Sequence, residues 1–156
     1  MEQAAVILKK GEGRTLKAGG AWIFDNEIDK VEGTPEDGSL VEVRDFDGYG
    51  MGTGFYNSRS KIRVRMMSRK AGQVIDRDFL ERRVRAAWQY RKDTVDTSSC
   101  RLIFGEADFL PGLVVDKYED VLVVQSLALG IDRMKEEILS LLVEVLRADG
   151  VEIRGI

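Results

Sequence analysis

Lys61, Arg63 and Arg65 repeat at every second position of a 156-residue sequence, and cations so spaced suit one chemistry, the holding of a polyanion. On an extended strand, alternate residues share a face and stand about 7 Å apart. That is close to the spacing of phosphates along a nucleic-acid strand. Phosphate contacts supply most sequence-independent affinity for nucleic acid and weaken with salt. The plain alternative is an edge strand kept from aggregating by its charges. The three cations belong to a longer acid-free run from Asn57 to Lys70, which also carries Arg59, Arg69 and Lys70. Upstream, Trp22 and Phe24 follow Lys17 and could stack on an unpaired base. Packing of both rings into a core is the competing reading.

Other candidates carry less. Glu106 and Asp108 precede the turn Leu110-Pro111-Gly112. They could hold a cation or pin a basic segment, or accept hydrogen bonds from backbone N–H groups of the turn. The single cysteine, Cys100, has no histidine anywhere in the chain to activate it, so an inert thiol is expected. One cysteine and no histidine also exclude a structural zinc site built from this sequence. Gly50-Met51-Gly52-Thr53-Gly54 lies inside a strand pattern rather than at a strand-to-helix turn, so it is not expected to cradle a cofactor phosphate. No catalytic, cofactor-binding or metal-binding residue is therefore assigned.

The elements that would position these side chains follow from periodicity. Val6-Ile7-Leu8, Leu40–Arg44, Tyr49–Tyr56 and Lys61–Met66 read as strands. Asp45-Phe46-Asp47-Gly48 is a turn. Glycines at 50, 52 and 54 bare one face of their strand, which predicts sharp bending or a close backbone approach. In the last strand Ile62, Val64 and Met66 should face a core, and Lys61, Arg63 and Arg65 should face out. Gly13 to Phe24 reads as a loop or short helix. Near Ile75 the pattern changes. Asp78 to Glu81 has the form of a capping box. Leu80, Val84, Ala87 and Trp88 mark one helical face that fades near Thr97. Arg101–Phe104 is a strand. Gly112–Tyr118 and Val121–Ser126 form a hairpin about Glu119-Asp120. A second helix is expected from about Arg133 to Ala148 with Asp132 as its cap, and Val151–Ile156 as a further strand.

Composition bounds the class. Hydrophobic residues make up 44% and charged residues 33%, the balance of a folded globular chain. No apolar run approaches the roughly 18 residues that span a bilayer, and the N-terminus Met1-Glu2-Gln3 lacks the features of a secretory signal. A membrane is not expected as partner. A lone cysteine fits the reducing cytoplasm. The net charge of −3 is uneven. Residues 1–75 hold 12 basic and 11 acidic side chains, and residues 76–156 hold 12 and 16. The basic stripe thus stands on the less acidic part, where a polyanion would meet least repulsion.

The string Arg101-Leu102-Ile103-Phe104-Gly105-Glu106-Ala107-Asp108-Phe109-Leu110-Pro111-Gly112-Leu113-Val114-Val115-Asp116-Lys117-Tyr118 resembles the signature of the large-subunit ribosomal RNA cytosine-5 methyltransferase family, the YccW-like group. Gly19–Phe24 is similar to that family's Gly-His-Pro-Trp-Val-Phe, and Gly52–Ser60 to its Gly-x-Gly-x-Tyr-Asn-Pro-x-Ser. Gly20-Ala21 and Ser58 depart from the pattern, in loops where RNA contact or barrel bending is expected. The resemblance implies an α+β chain. Residues 1–75 would be a small RNA-binding β-barrel of the PUA type. Residues 76–156 would be a mixed α/β connector with a strand-strand-helix-strand-strand core. A Rossmann-like domain that binds S-adenosylmethionine and carries the catalytic cysteine would lie outside these residues, so no cofactor is expected within them. The implied function is RNA docking for methyl transfer to cytosine C5 of ribosomal RNA, with Lys17, Trp22, Asn57, Arg59, Lys61, Arg63 and Arg65 as contacts. The alternative is a stand-alone structural or oligomerisation module, for which a homodimer is expected.

Overall fold

Six short strands of alternating or wholly apolar residues build the first part of the chain in a computed structural model, which describes residues 3–156. Met1 and Glu2, part of the N-terminal segment read above for a signal, lie outside the described residues. The strands are β1 (Ala5–Leu8), β2 (Trp22–Phe24), β3 (Ile28–Glu32), β4 (Leu40–Arg44), β5 (Gly50–Tyr56) and β6 (Ile62–Ser68). Their order in the sheet is β2-β6-β5-β4-β1-β3. All pairs are antiparallel except β1 with β4. The edge strands β2 and β3 are joined by only three residues, Asp25–Glu27, so the sheet must curl until its edges approach. Val6, Leu8, Ile23, Val41, Val43, Val64 and Met66 fill the inside of the curl. Leu16, from the one-turn helix α1 (Arg14–Lys17), plugs it.

The glycines of β5 have the role that their spacing suggested. A Cβ at Gly52 would lie 2.0 Å from the Ser68 carbonyl oxygen, and one at Gly54 would lie 2.6 Å from that of Arg65. Gly52 also has φ +133°, which disfavours any residue with a side chain. The β5–β6 register slips between Thr53 and Gly54, and Met67 is the extra, buried residue on β6.

The chain divides into two compact units, Met1–Gln73 and Val74–Ile156. In the second, α2 (Arg77–Thr94) and α3 (Leu129–Ala148) pack together and against a three-stranded antiparallel sheet, β7 (Ser99–Phe104), β8 (Leu113–Tyr118) and β9 (Val121–Ser126), in the order β7-β8-β9. The chain is thus α+β, as expected, although three strands precede α3 instead of two on each side of it.

Three local expectations need correction. Helix α2 starts two residues early, because Asp76 rather than Asp78 accepts the Phe79 N–H at 2.9 Å. That start places Phe79 and Leu80 in the core. Helix α3 begins at Leu129, not Arg133, since wholly buried Ile131 anchors its first turn. Asp132 falls inside that turn and pairs with Lys135 at 2.7 Å. Val151–Ile156 is no strand. It makes one parallel bridge, Gly155 with Val121. Among the described residues, no helix is long and apolar enough to cross a membrane.

Candidate nucleic-acid interface

Strand β2 alternates, and the alternation decides the place of its aromatics. Ile23 is 1% exposed, whereas Trp22 and Phe24 on either side are 38% and 42% exposed. Both rings therefore stand outside the curled sheet, not in its core. They meet edge-to-face with centroids 6.4 Å apart. Trp22 lies directly across from Arg65 on β6, and the Arg65 guanidinium sits over the indole at 5.2 Å. A guanidinium on an indole face is a cation–π contact, and both groups are also sequence-tolerant partners for a nucleobase.

The expected even row of cations is not what β6 presents. The β2–β6 register shifts so that Ile23 faces Val64 and Phe24 faces Ile62, which leaves Arg63 as the extra residue of a bulge. A bulge re-aims its side chain. Arg63 Nε donates to the Ser60 carbonyl at 3.1 Å, and its guanidinium approaches Asp25 at 3.9 Å. Lys61 lies just before the strand and is exposed, while its carbonyl accepts the Asp25 N–H at 2.9 Å. Ile62, expected in the core, is only half-buried. The cations thus form no even row: Arg65 shares the outer face with Trp22, Arg63 turns to Asp25, and Lys61 precedes the strand.

The turn before β6 holds Asn57 and Arg59. Asn57 donates its N–H to the Arg63 carbonyl, and its Oδ1 accepts the Arg59 N–H, both at 3.0 Å. This side chain shapes the turn. Arg59 projects from it, 91% exposed and 4.0 Å from Asp37. Ser58, which departs from the family pattern, donates its N–H to Asp37 Oδ1 at 2.7 Å and its hydroxyl to Oδ2 at 3.0 Å. Proline at this position would lack the first donor. The turn is therefore tied down by a different device.

Lys17 stands apart from these residues. It lines a groove of about 440 Å³ with Tyr49, Arg69 and Lys70. The sequence reading did not assign Tyr49, Arg69 or Lys70 as contacts, and offered Phe24 only as a ring that could stack. The acid-free run to Lys70 contained a signal for two of them, whereas Tyr49 was read only as the start of a strand.

In the second unit, the acidic string is internal scaffolding. Asp108 pairs with Arg91 through two hydrogen bonds of 2.6 and 2.7 Å and also accepts the Phe104 N–H at 2.6 Å. Glu106 accepts the Gly112 N–H at 3.1 Å. Hydrogen bonding to Asp108 holds the Arg91 guanidinium above its ordinary pKa. Cys100 sits half-buried on β7, and burial pushes its thiol up, away from the reactive thiolate. The glycine-rich segments do not suit a nucleotide cofactor. Gly50–Gly54 is strand, and Gly11-Glu12-Gly13 leads into a helix of four residues. Among the described residues, no group of three or more His, Cys, Asp or Glu side chains is arranged to hold a metal ion.

Comparison with known proteins agrees with this architecture. Residues 6–69 match the family model of the PUA-like domain. The chain is 37% identical over 145 residues to "Ribosomal RNA large subunit methyltransferase I" of Pseudoalteromonas translucida, which takes in 91% of this chain and 37% of the relative. The protein of the same name from Vibrio cholerae is 37% identical over 141 residues, 88% of this chain and 35% of its own length. Among solved structures, a protein described as a SAM-dependent methyltransferase from Streptococcus mutans superposes with a TM-score of 0.77 at 16% identity, covering 92% of this chain and 38% of that one. A methyltransferase complexed with SAH also superposes at 0.77. At 16% identity these two show the fold alone. The chain thus matches the PUA-like domain over residues 6–69 and is similar over about nine-tenths of its length to large-subunit ribosomal RNA methyltransferases I, of which it spans just over a third.

Proposed function

We propose that this chain is the RNA-docking and connecting part of a SAM-dependent methyltransferase that acts on ribosomal RNA, with cytosine C5 as the methylated position. The first unit binds structured RNA, and the second joins it to the catalytic part. The observation that carries the reading is the placing of Trp22 and Phe24 outside the sheet beside the cations of β6, with Arg65 over the indole. Cations supply affinity for phosphate, and exposed rings accept an unpaired base. The names of the relatives supply the RNA class and the methyl-transfer chemistry. The glycine segments and Cys100 do not form a methyl-donor site, so no catalytic step is assigned to these residues.

The test is fluorescence anisotropy with a labelled fragment of large-subunit ribosomal RNA. If Lys61, Arg63 and Arg65 each neutralise one phosphate, affinity falls roughly 20- to 40-fold between about 50 and 200 mM salt. Binding indifferent to salt, or no binding at all, overturns the reading.

A second reading, self-association through the second unit, has one observation in its favour. Phe104, Tyr118 and Val123, all substantially exposed, share the sheet face turned away from the helices. Sedimentation that does not change with protein concentration removes it.

A further inference from the structure

Phe109, in the loop between β7 and β8, has an unusual backbone for so large a residue. Its φ of 59° and ψ of 30° lie in the left-handed region, which bulky side chains rarely enter. The turn around it leaves little choice. Leu110 donates its N–H to the Gly105 carbonyl at 3.0 Å, and Phe109 donates to that of Glu106 at 3.1 Å. Leu110 and Pro111, the next two residues, are buried. Glu106 and Asp108 turn their carboxylates inward, to the Gly112 and Phe104 N–H groups and to Arg91. A rigid turn thus holds one phenyl ring outward, 57% exposed. For folding alone, a glycine would suit this backbone better.

Guanidinium groups surround the ring. Arg83 of α2 lies 4.4 Å from the centroid of buried Phe79 and 5.2 Å from that of Phe109, and donates to the Phe109 carbonyl at 2.5 Å. Arg82 beside it is exposed, and Glu81 is paired with Arg85 at 3.2 Å. At the other end of the same loop, Phe104 is 52% exposed and carries Arg101 at 5.1 Å. These pairs repeat the arrangement of Trp22 with Arg65 in the first unit. The second unit is acidic as a whole, but Asp116, Asp132, Glu144 and Asp149 are each closed in a salt bridge. Its net charge therefore says little about the field at this loop.

We propose that the second unit is itself an RNA contact, with one unpaired base on the outer face of Phe109 and the adjoining phosphate on Arg82. An exposed ring accepts any base on its face, and a guanidinium supplies the charge. This rests on the reading that the chain docks RNA, and the test separates the two. The full chain is titrated by anisotropy with the labelled fragment of large-subunit ribosomal RNA. Phe109→Gly and Phe109→Asn both suit a left-handed backbone, so thermal melts within a few degrees of the parent are expected. Both should weaken RNA binding roughly 5- to 100-fold, the range for loss of one base stacked on an aromatic side chain. Phe109→Tyr keeps the ring and should retain most of the affinity. Arg82→Gln should lower the salt slope by about 1. Unchanged affinity in the folded glycine and asparagine variants overturns the contact while leaving RNA docking in place. A loss as large in Phe109→Tyr as in Phe109→Gly also overturns it. No RNA binding by the parent chain overturns both readings. If RNA affinity is unchanged and Phe109→Gly instead removes self-association in sedimentation, the ring serves a protein contact and the RNA contact falls.

Discussion

The guanidinium of Arg65 lies 5.2 Å from the centroid of the Trp22 ring, and the two residues face each other across the antiparallel β2–β6 pair. The strand register, rather than a mobile side chain, brings cation and ring together. Trp22→Ala is therefore expected to weaken RNA binding roughly 5- to 100-fold. The melting temperature should change little, because the ring is already partly in water. Arg65→Lys keeps the charge and loses the flat guanidinium. It should retain the salt slope while losing part of the affinity. Anisotropy titrations at two salt concentrations decide this. An unchanged affinity for the Trp22 variant removes the ring from the interface.

The same β6 strand approaches β5 too closely for a side chain at Gly52. A Cβ there would meet the Ser68 carbonyl oxygen at 2.0 Å in a backbone conformation that side chains avoid. Gly52→Ala should cost about 3 kcal/mol or more, from backbone strain together with forced displacement of β6. Urea denaturation of the variant measures it. Gly48→Ala is the control. Its Cβ would meet nothing within 4 Å, so only the cost of its positive φ is expected.

In the second unit, Arg91 and Asp108 form a bidentate pair whose side chains are 9% and 8% exposed. Asp108 also takes the Phe104 N–H, and Arg91 donates to the Arg101 carbonyl at 2.8 Å. Asp108→Ala leaves the two terminal nitrogens of a buried guanidinium and a backbone donor without their partner and should cost about 3 to 5 kcal/mol. Replacing both residues by apolar ones of similar size should recover much of the loss. Denaturant midpoints of the single and double variants check this. A single variant as stable as the parent shows the pair to be dispensable.

Acid should loosen the second unit by a defined route. Asp149 accepts hydrogen bonds from Lys92 Nζ at 2.6 Å and Trp88 Nε1 at 2.7 Å, which tie α2 to the end of α3 and hold its carboxyl below the ordinary aspartate value of 3.8. Asp96, with the Ser98 N–H, and Asp132, with Lys135, are lowered in the same direction. A carboxylate whose folded pKa is depressed contributes stability that is present above its unfolded value and is lost as pH falls through the folded one. Stability of this unit should therefore hold above pH 4 and decline below it. Asp149→Asn should be less stable than the parent at neutral pH and lose less on acidification. Thermal melts from pH 7 to pH 2 test the sign. Equal acid sensitivity in both proteins removes Asp149 from the account.

Much of this protein was legible before its fold was known, wherever a local pattern answers to a local cause. Alternation at Leu40–Arg44 marked β4, and the glycines of β5 marked a close approach that Ser68 and Arg65 then supply. The turn at Glu119-Asp120 was equally plain. Ends of elements were less so, because two acids two residues apart can each cap a helix. Only the packing of Phe79 and Leu80 selects Asp76. Likewise, Val151–Ile156 has the composition of a strand, yet only Gly155 bridges to β9. The site depended most on tertiary structure. Composition marked Trp22, Phe24 and the cations from Arg59 to Lys70 as candidates but could not say which way a ring on a three-residue strand would point. The bulge at Arg63 and the curl that brings α1 to the end of β6 are relations between segments distant in sequence. Residue types and spacing marked which side chains could meet a polyanion or an unpaired base. Sheet register and chain closure decided which side chains meet, because contacts between strands depend on pairing that no single strand encodes.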